Sequence, residues 1–194
     1  MGWVVFVLVL VAIAALWAWA AASNRKSTLE AHVRGIDGFA AQHVLIGADG
    51  INALAVDDHQ KLVCFAVRAG GSVGHRLIPY ASIMSVEVEE DGTVISSASR
   101  GSQLAGAAVG GVLLGGVGAV VGAMTGARKE KRQINRVDFK VTIEDVANPI
   151  FRVALQNHPS PSDGLVYKMT CRQTSEWQGR IEAVMRQASR AVAG

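Results

Sequence analysis

The sequence predicts an α+β protein in which one apolar N-terminal helix precedes a small antiparallel β barrel or sandwich that ends in an amphipathic helix. Three observations support this prediction. An uncharged apolar run fills residues 3–22, short segments of alternating apolar and polar residues recur between residues 42 and 156, and residues 177–188 have the apolar spacing of a helix. The 194 residues are enough for a membrane anchor and one domain of ordinary size.

The N-terminal run has the length and the flanks of a transmembrane helix. No charged side chain occurs in the first 24 residues. Twenty helical residues span about 30 Å, the thickness of the hydrocarbon core of a bilayer. Trp3 lies at one end of the run, and Trp17 and Trp19 lie near the other, as in the aromatic belts of membrane proteins. We therefore expect residues 1–24 to form a transmembrane anchor and residues 25–37 a juxtamembrane linker.

A cleaved signal peptide is the alternative, with a cleavage site at Ala18-Trp19-Ala20 and an envelope protein as the product. No Lys or Arg precedes the run, and the run exceeds the roughly 7–15 apolar residues of a signal peptide. Arg25 and Lys26 follow it directly. The positive-inside rule then predicts an inner-membrane protein with its N-terminus outside and its C-terminal domain in the cytoplasm.

The patterns in residues 38–190 predict one β domain that ends in a helix. Asp49-Gly50 and Asp91-Gly92 are favoured hairpin turns, and about seven short strands surround them. The strongest pattern is residues 137–143, where apolar and polar side chains alternate with a period of two. Residues 84, 86 and 88, all apolar, alternate in the same way. The helical stripe consists of Trp177, Ile181, Val184, Met185 and Ala188.

An uncharged block of residues 101–127, with nine glycines, interrupts this domain. On a helix its small residues form two adjoining ridges, which let helix backbones approach closely, as in small-xxx-small packing of membrane helices. The block lacks a complete phosphate-binding glycine motif. The residues that we expect to pack helices are Gly106, Gly110, Gly111, Gly115, Gly118, Gly122 and Gly126.

The topology favours a hairpin for this block. Strands lie on both sides of it, so a single crossing would separate the two halves of the domain. Each arm of a hairpin that turns near residues 114–116 would extend only about 16 Å, which fits a re-entrant or interfacial segment better than two full spans.

Basic side chains lie next to both apolar blocks. The formal charge is +3 overall, but residues 128–194 carry twelve basic and seven acidic side chains. Such clusters are attracted to anionic lipid headgroups, although a solvated loop is the alternative. The residues that we expect to contact headgroups are Arg25, Lys26, Arg128, Lys129, Lys131 and Arg132.

The arrangement resembles bacterial membrane-anchored proteins with a pleckstrin-homology-like (PH-like) domain that contains an inserted glycine zipper. The resemblance covers roughly residues 38–190. The residues that carry it are Ile78-Pro79-Tyr80 with Ile83, the lead-in at residues 99–103, the zipper at 110–126, the basic run at 128–132, the strand at 137–143, Asn148-Pro149 and the Trp177 helix. It implies a PH-like fold and a role in binding or scaffolding.

No catalytic or metal-binding motif is present in the sequence. The five histidines are scattered, and Cys64 and Cys171 lie in no metal-ligand spacing. We therefore expect no enzyme, no cofactor, no metal and no nucleic acid. The predicted function is a membrane-anchored binding or scaffolding protein that self-associates through its zipper, with membrane lipids, a second copy of itself and an unidentified protein as partners. The alternative is a membrane-perturbing or pore-forming effector whose zipper arms insert fully into the bilayer.

Overall fold

The computed structural model describes residues 2–101 and 132–193. Within these residues, two long helices flank a β domain, and the 3-10 turn Tyr80–Ser82 links its two halves. The helices are α1 (Gly2–Arg34) and α2 (Leu165–Ala193). The strands are β1 (His43–Ile46), β2 (Asn52–Asp57), β3 (Leu62–Ala69), β4 (Ser72–Pro79), β5 (Ile83–Glu90), β6 (Thr93–Ser99), β7 (Gln133–Ile134), β8 (Val137–Ile143), β9 (Ile150–Gln156) and β10 (Ser160–Pro161).

The described strands form two antiparallel four-stranded sheets and one short ribbon. The first sheet has the order β1-β2-β3-β4, the second has the order β6-β5-β8-β9, and β10 pairs with β7. The two sheets and α2 enclose one apolar core, and the sheets do not close into a barrel. The α+β class predicted from the sequence is confirmed.

Hairpin turns lie where the sequence predicts them. Asp91 and Gly92 join β5 to β6 with φ angles of 47° and 82°, the left-handed pair that a two-residue hairpin requires. The predicted stripe on α2 is confirmed, because Trp177, Ile181 and Met185 are buried in the core along with the other two members. The helix itself begins twelve residues earlier than that stripe, at Leu165.

One expectation about the strands needs correction. The sequence pattern predicts that residues 84, 86 and 88 share one face, but β5 begins with a bulge between Ile83 and Ser85, so Ile83 is buried and Met84 is exposed. Glu89 and Glu90, the last two residues of β5, are buried. The two-residue strands β7 and β10 lie in segments that carry no strand pattern.

Helix α1 is longer than its apolar run. It continues without a break to Arg34, so most of the segment assigned from sequence to a linker, residues 25–37, is helical. Among the described residues, one helix is long and apolar enough to cross a membrane, and the apolar stretch within Trp3–Arg34 has no buried residues and a mean hydropathy of 2.7. The remainder of α1 packs on the β domain.

Candidate functional site

The junction between α1 and the first sheet is built around Arg25. The guanidinium Nη2 of Arg68 donates a hydrogen bond to the carbonyl oxygen of Arg25 at 2.9 Å. A side chain at Gly50 would place its Cβ 3.1 Å from the Cβ of Arg25 and 3.4 Å from the Cγ of Lys26. Gly50 also has a φ of +66°, which favours glycine at this turn on conformational grounds as well. The β1–β2 turn therefore lies directly against the helix.

Beyond this junction, small residues of the first sheet make room for the helix. Leu29 and Val33, one helical turn apart, are fully buried. They pack with Phe39 in a second apolar cluster. The sheet side of that cluster consists of Ala53, Ala55, Cys64 and Ala66. This is why β2 and β3 are buried on both faces, and it fixes the helix to the domain without a flexible linker.

A histidine pair extends the same interface. The Nε2 of His32 on α1 lies 3.0 Å from the Nδ1 of His75 on β4. His75 is the register partner of Ala66 on β3, so His32 lies opposite the part of the sheet that contains Ala66. Two contacts along α1, at Arg25 and at His32, therefore set the direction in which the helix crosses the first sheet.

The described residues on either side of residues 102–131 are both bonded to the β domain. At the outgoing end, Arg100 donates hydrogen bonds to the carbonyl oxygens of Tyr80 and Ala81 just before β5. At the returning end, Arg132 forms an ion pair of 3.1 Å with Glu90, the last residue of β5. The contact points lie at opposite ends of β5, whose eight residues extend over about 26 Å.

Glu90 is the centre of the returning end. Its carboxylate is buried, and it accepts a hydrogen bond from the hydroxyl of Tyr167 on α2 in addition to the ion pair with Arg132. Burial, together with the negative charge and the hydrogen bond of Glu90, raises the pKa of Tyr167. The neighbouring Asp91 accepts hydrogen bonds from the backbone N–H groups of Asn135 and Arg136. These contacts hold the chain in place where it re-enters the domain.

An open cleft lies between the two sheets on the side of β4 and the β8–β9 turn. It has a volume of about 420 Å³, and its apolar wall includes Phe65 and Phe151, whose ring centroids are 4.6 Å apart. Arg76 and Asp145 form an ion pair from β4 to the β8–β9 turn. Backbone N–H groups of Asn148 and Ala147, followed by Arg76, lower the pKa of Asp145. The cleft is a concave and largely apolar surface of the described residues.

An ion-pair network covers the outer face of the second sheet. Lys140 lies 2.6 Å from Glu87 and 3.3 Å from Glu89, and Arg152 lies 3.6 Å from Glu89. The hydrogen bond to Glu87 outweighs partial burial and raises the pKa of Lys140. Cross-strand pairs of opposite charge stabilise neighbouring strands, so this network is structural.

The cysteines have the properties of core residues. Both are free. Burial raises the pKa of Cys64 to about 12 and also raises the pKa of Cys171, which disfavours the thiolate form of both. Over residues 2–101 and 132–193, no three metal-ligating side chains come together.

Of the residues predicted to bind headgroups, three are described. Arg25 and Lys26 lie together at the α1 junction, and Arg132 is paired with Glu90. The other three lie outside the described residues, namely Arg128, Lys129 and Lys131. The seven glycines predicted to pack helices also lie outside them. Arg68, Glu90 and Tyr167 were not singled out from the sequence, since each acquires its role from a residue more than 40 positions away.

The fold and the junction define an α+β domain of two antiparallel sheets, packed against an apolar helix that is long enough to cross a membrane. The family model for the glycine zipper containing PH domain matches residues 43–157, more than half of the chain. The chain therefore belongs to the family of glycine-zipper-containing PH domains.

Two bacterial and phage relatives share part of this region. The chain is 23% identical over 124 residues to an immunity protein of Bacillus phage SPbeta, and the match covers 58% of this chain and 59% of that protein. It is also 23% identical over 124 residues to an SPbeta prophage-derived membrane protein of Bacillus subtilis strain 168, over 58% of this chain and 52% of that protein. The chain thus spans between half and three fifths of the length of these relatives. No solved structure matches the chain significantly.

Proposed function

We propose that this chain is a non-enzymatic, membrane-anchored binding or scaffolding protein that self-associates through its glycine zipper. The observation that carries the proposal is the rigid junction of α1 with the β domain, where Arg68 bonds to Arg25 and where Leu29 and Val33 are fully buried. An apolar helix that is clamped to a domain in this way holds the domain at the membrane surface.

The zipper supplies the self-association in this proposal. Its small residues repeat every four positions over much of residues 106–127, which on a helix gives ridges that admit close backbone contact. Arg100 and Arg132, which flank residues 101–131 in the sequence, are both bonded to the domain, so contact between zippers would bring whole domains together. The basic run that ends at Arg132 would hold the segment at anionic headgroups.

The orientation is part of the proposal. Arg25 and Lys26 follow α1's apolar run and no charge precedes it, which favours an outside N-terminus and a cytoplasmic β domain in the inner membrane. A C-terminal reporter enzyme that is active only outside the cytoplasm should stay silent. Strong activity of that reporter would overturn this orientation.

A membrane-perturbing effector is the second candidate, because the uncharged zipper could insert fully in an oligomer. The name of the phage relative, immunity protein, favours the scaffolding proposal over this candidate, since it suggests a protective role.

The test is chemical crosslinking in native membranes with mass spectrometry, combined with a potential-sensitive dye. The proposal predicts crosslinks between copies of this chain at an unchanged membrane potential. Collapse of the potential on expression supports the effector, and the absence of crosslinks between copies contradicts self-association.

A further inference from the structure

The end of the first sheet at which α1 leaves the domain carries exposed apolar side chains. Ile51 in the β1–β2 turn is 43% exposed, and Val67 near the end of β3 is 40% exposed. The backbone N–H of Arg68 donates to the carbonyl oxygen of Ile51 at 2.8 Å, so Ile51 lies beside Arg68 at this end of the sheet. Val67 precedes Arg68 on β3, and successive side chains of a strand point to opposite faces, so Val67 lies at the same end but on the face that lines the cleft. Arg25, Lys26 and Arg68 are basic side chains at the same end of the sheet, and Asp49 is an acidic side chain of the β1–β2 turn.

The depth of this surface follows from the rise of an α-helix. Arg25 comes three residues after the apolar run of residues 3–22, which places it about 4.5 Å further along the helix axis. The headgroup layer of each leaflet is about 5–7 Å thick, so Arg25 lies within it when the apolar run fills the hydrocarbon core. Arg68 and Gly50 contact Arg25 directly and share its depth.

The direction of β3 places further residues at this level. Along α1, His32 contacts His75 at the level of Ala66, and Arg25, closer to the apolar run, contacts Arg68. Strand β3 therefore runs toward the apolar run of α1. The β3–β4 turn at Gly70 and Gly71 continues in that direction.

We infer that this end of the domain, comprising Ile51, Val67 and Arg68 with Arg25 and Lys26, is a lipid-facing surface that lies in the anionic headgroup layer of the leaflet through which α1 leaves the membrane. Aliphatic side chains among basic ones suit that layer, since the former partition into the acyl boundary and the latter attract lipid phosphates. The inference rests on the anchoring part of the proposed function and is independent of the zipper.

Depth-dependent fluorescence quenching tests this surface in the full chain. The Cys171→Ala variant leaves only the buried Cys64, and single cysteines that carry an environment-sensitive dye are then introduced as Ile51→Cys and Val67→Cys. His59→Cys, exposed in the turn at the opposite end of β2, is the matched control. Leu10→Cys, in the middle of the apolar run, reports on the anchor. The protein is placed in nanodiscs of three parts phosphatidylcholine to one part phosphatidylglycerol, with spin labels on either the headgroups or the acyl chains.

Headgroup spin labels should remove most of the dye emission at positions 51 and 67 and little at position 59, and acyl-chain labels should quench position 10. Unquenched dyes at 51 and 67 with a quenched dye at 10 would overturn the lipid-facing surface and leave the anchor standing. Equal quenching at 51 and 59 would also overturn it, because the domain would then have no oriented face. An unquenched dye at position 10 would overturn the anchor itself.

Discussion

The guanidinium of Arg68 donates a hydrogen bond to the main-chain carbonyl of Arg25, across 43 positions of sequence, at the point where the apolar part of α1 ends. This bond and the burial of Leu29 and Val33 hold the second half of α1 on the first sheet, so no flexible linker separates the apolar run from the β domain. A rigid joint determines which end of the β domain faces the apolar helix, which a flexible linker could not do.

Truncation of the joint should destabilise the domain. Leu29→Ala removes a fully buried side chain from the α1–sheet interface, so we expect it to lower the free energy of unfolding by about 2–5 kcal/mol. Thermal or chemical unfolding of the full chain, followed by circular dichroism, measures the change. Thr28→Ala, on the adjacent exposed position, should have little effect. Equal stability of the two variants would show that α1 does not pack on the sheet.

The hydrogen bond of Tyr167 to Glu90 should contribute more to the free energy of unfolding than the hydrogen bond of Tyr80 to Asp58. Tyr167→Phe leaves the buried Glu90 carboxylate with one partner fewer, so we expect a loss of about 1–3 kcal/mol of unfolding free energy. Tyr80→Phe is the matched control, since the Tyr80 hydroxyl donates at 2.7 Å to Asp58, which is exposed and can be solvated by water instead. Urea unfolding measures the free energy of unfolding of both variants and of the parent. A larger loss for Tyr80→Phe would contradict the role assigned to Glu90.

Asp57 should contribute a pH-dependent part of the stability. Burial opposes its ionisation, but the N–H groups of Ala40, His59 and Gln60 together outweigh burial and lower its pKa below 3.8. The folded state therefore binds a proton less tightly than the unfolded state. The resulting stabilisation is complete well above the ordinary pKa and is lost as the pH falls toward the folded-state pKa.

The difference in melting temperature between the parent and Asp57→Asn should accordingly be largest near neutral pH and should narrow between about pH 5 and about pH 3. Asp37→Asn removes an exposed carboxylate and controls for net charge. A difference that stays constant down to about pH 3 would show that the Asp57 carboxylate is not the source of this stabilisation.

Truncation of a buried side chain on the core face of α2 should also destabilise the domain. Trp177 is buried against the β domain, and truncation of a buried Trp to Ala costs about 3–5 kcal/mol. We expect Trp177→Ala to unfold the domain or to lower its melting temperature by many degrees, as circular dichroism would measure. Arg180→Ala, which removes only the side chain stacked 5.2 Å from the Trp177 ring, should cost much less. An unchanged melting temperature for Trp177→Ala would exclude α2 from the core.

Local sequence signals predicted the elements that depend on local physics. The Asp91-Gly92 turn requires two residues with positive φ, and few residue pairs provide them, so the hairpin could be read directly. The Trp177 stripe repeats over three helical turns, which is long enough to identify a helix face.

Features that depend on distant partners could not be read in this way. The continuation of α1 beyond residue 24 rests on only two apolar side chains, Leu29 and Val33, in a polar stretch, and their partners are small residues of β2 and β3. The burial of Glu90 depends on Tyr167, 77 positions later. The bulge at the start of β5 arises from its pairing with β8, not from any residue of β5 itself.

The central claim, self-association through the zipper, is tested most directly by a matched pair of leucine substitutions. Gly122 lies on a predicted small-residue ridge, and Val121 lies off that ridge. Gly122→Leu should separate the packed helices although it raises hydrophobicity, whereas Val121→Leu changes hydrophobicity alone. The measurement is the yield of crosslinked oligomers in native membranes at equal expression. We expect a reduced yield for Gly122→Leu and a parental yield for Val121→Leu, whereas parental yields for both variants would contradict self-association through the zipper.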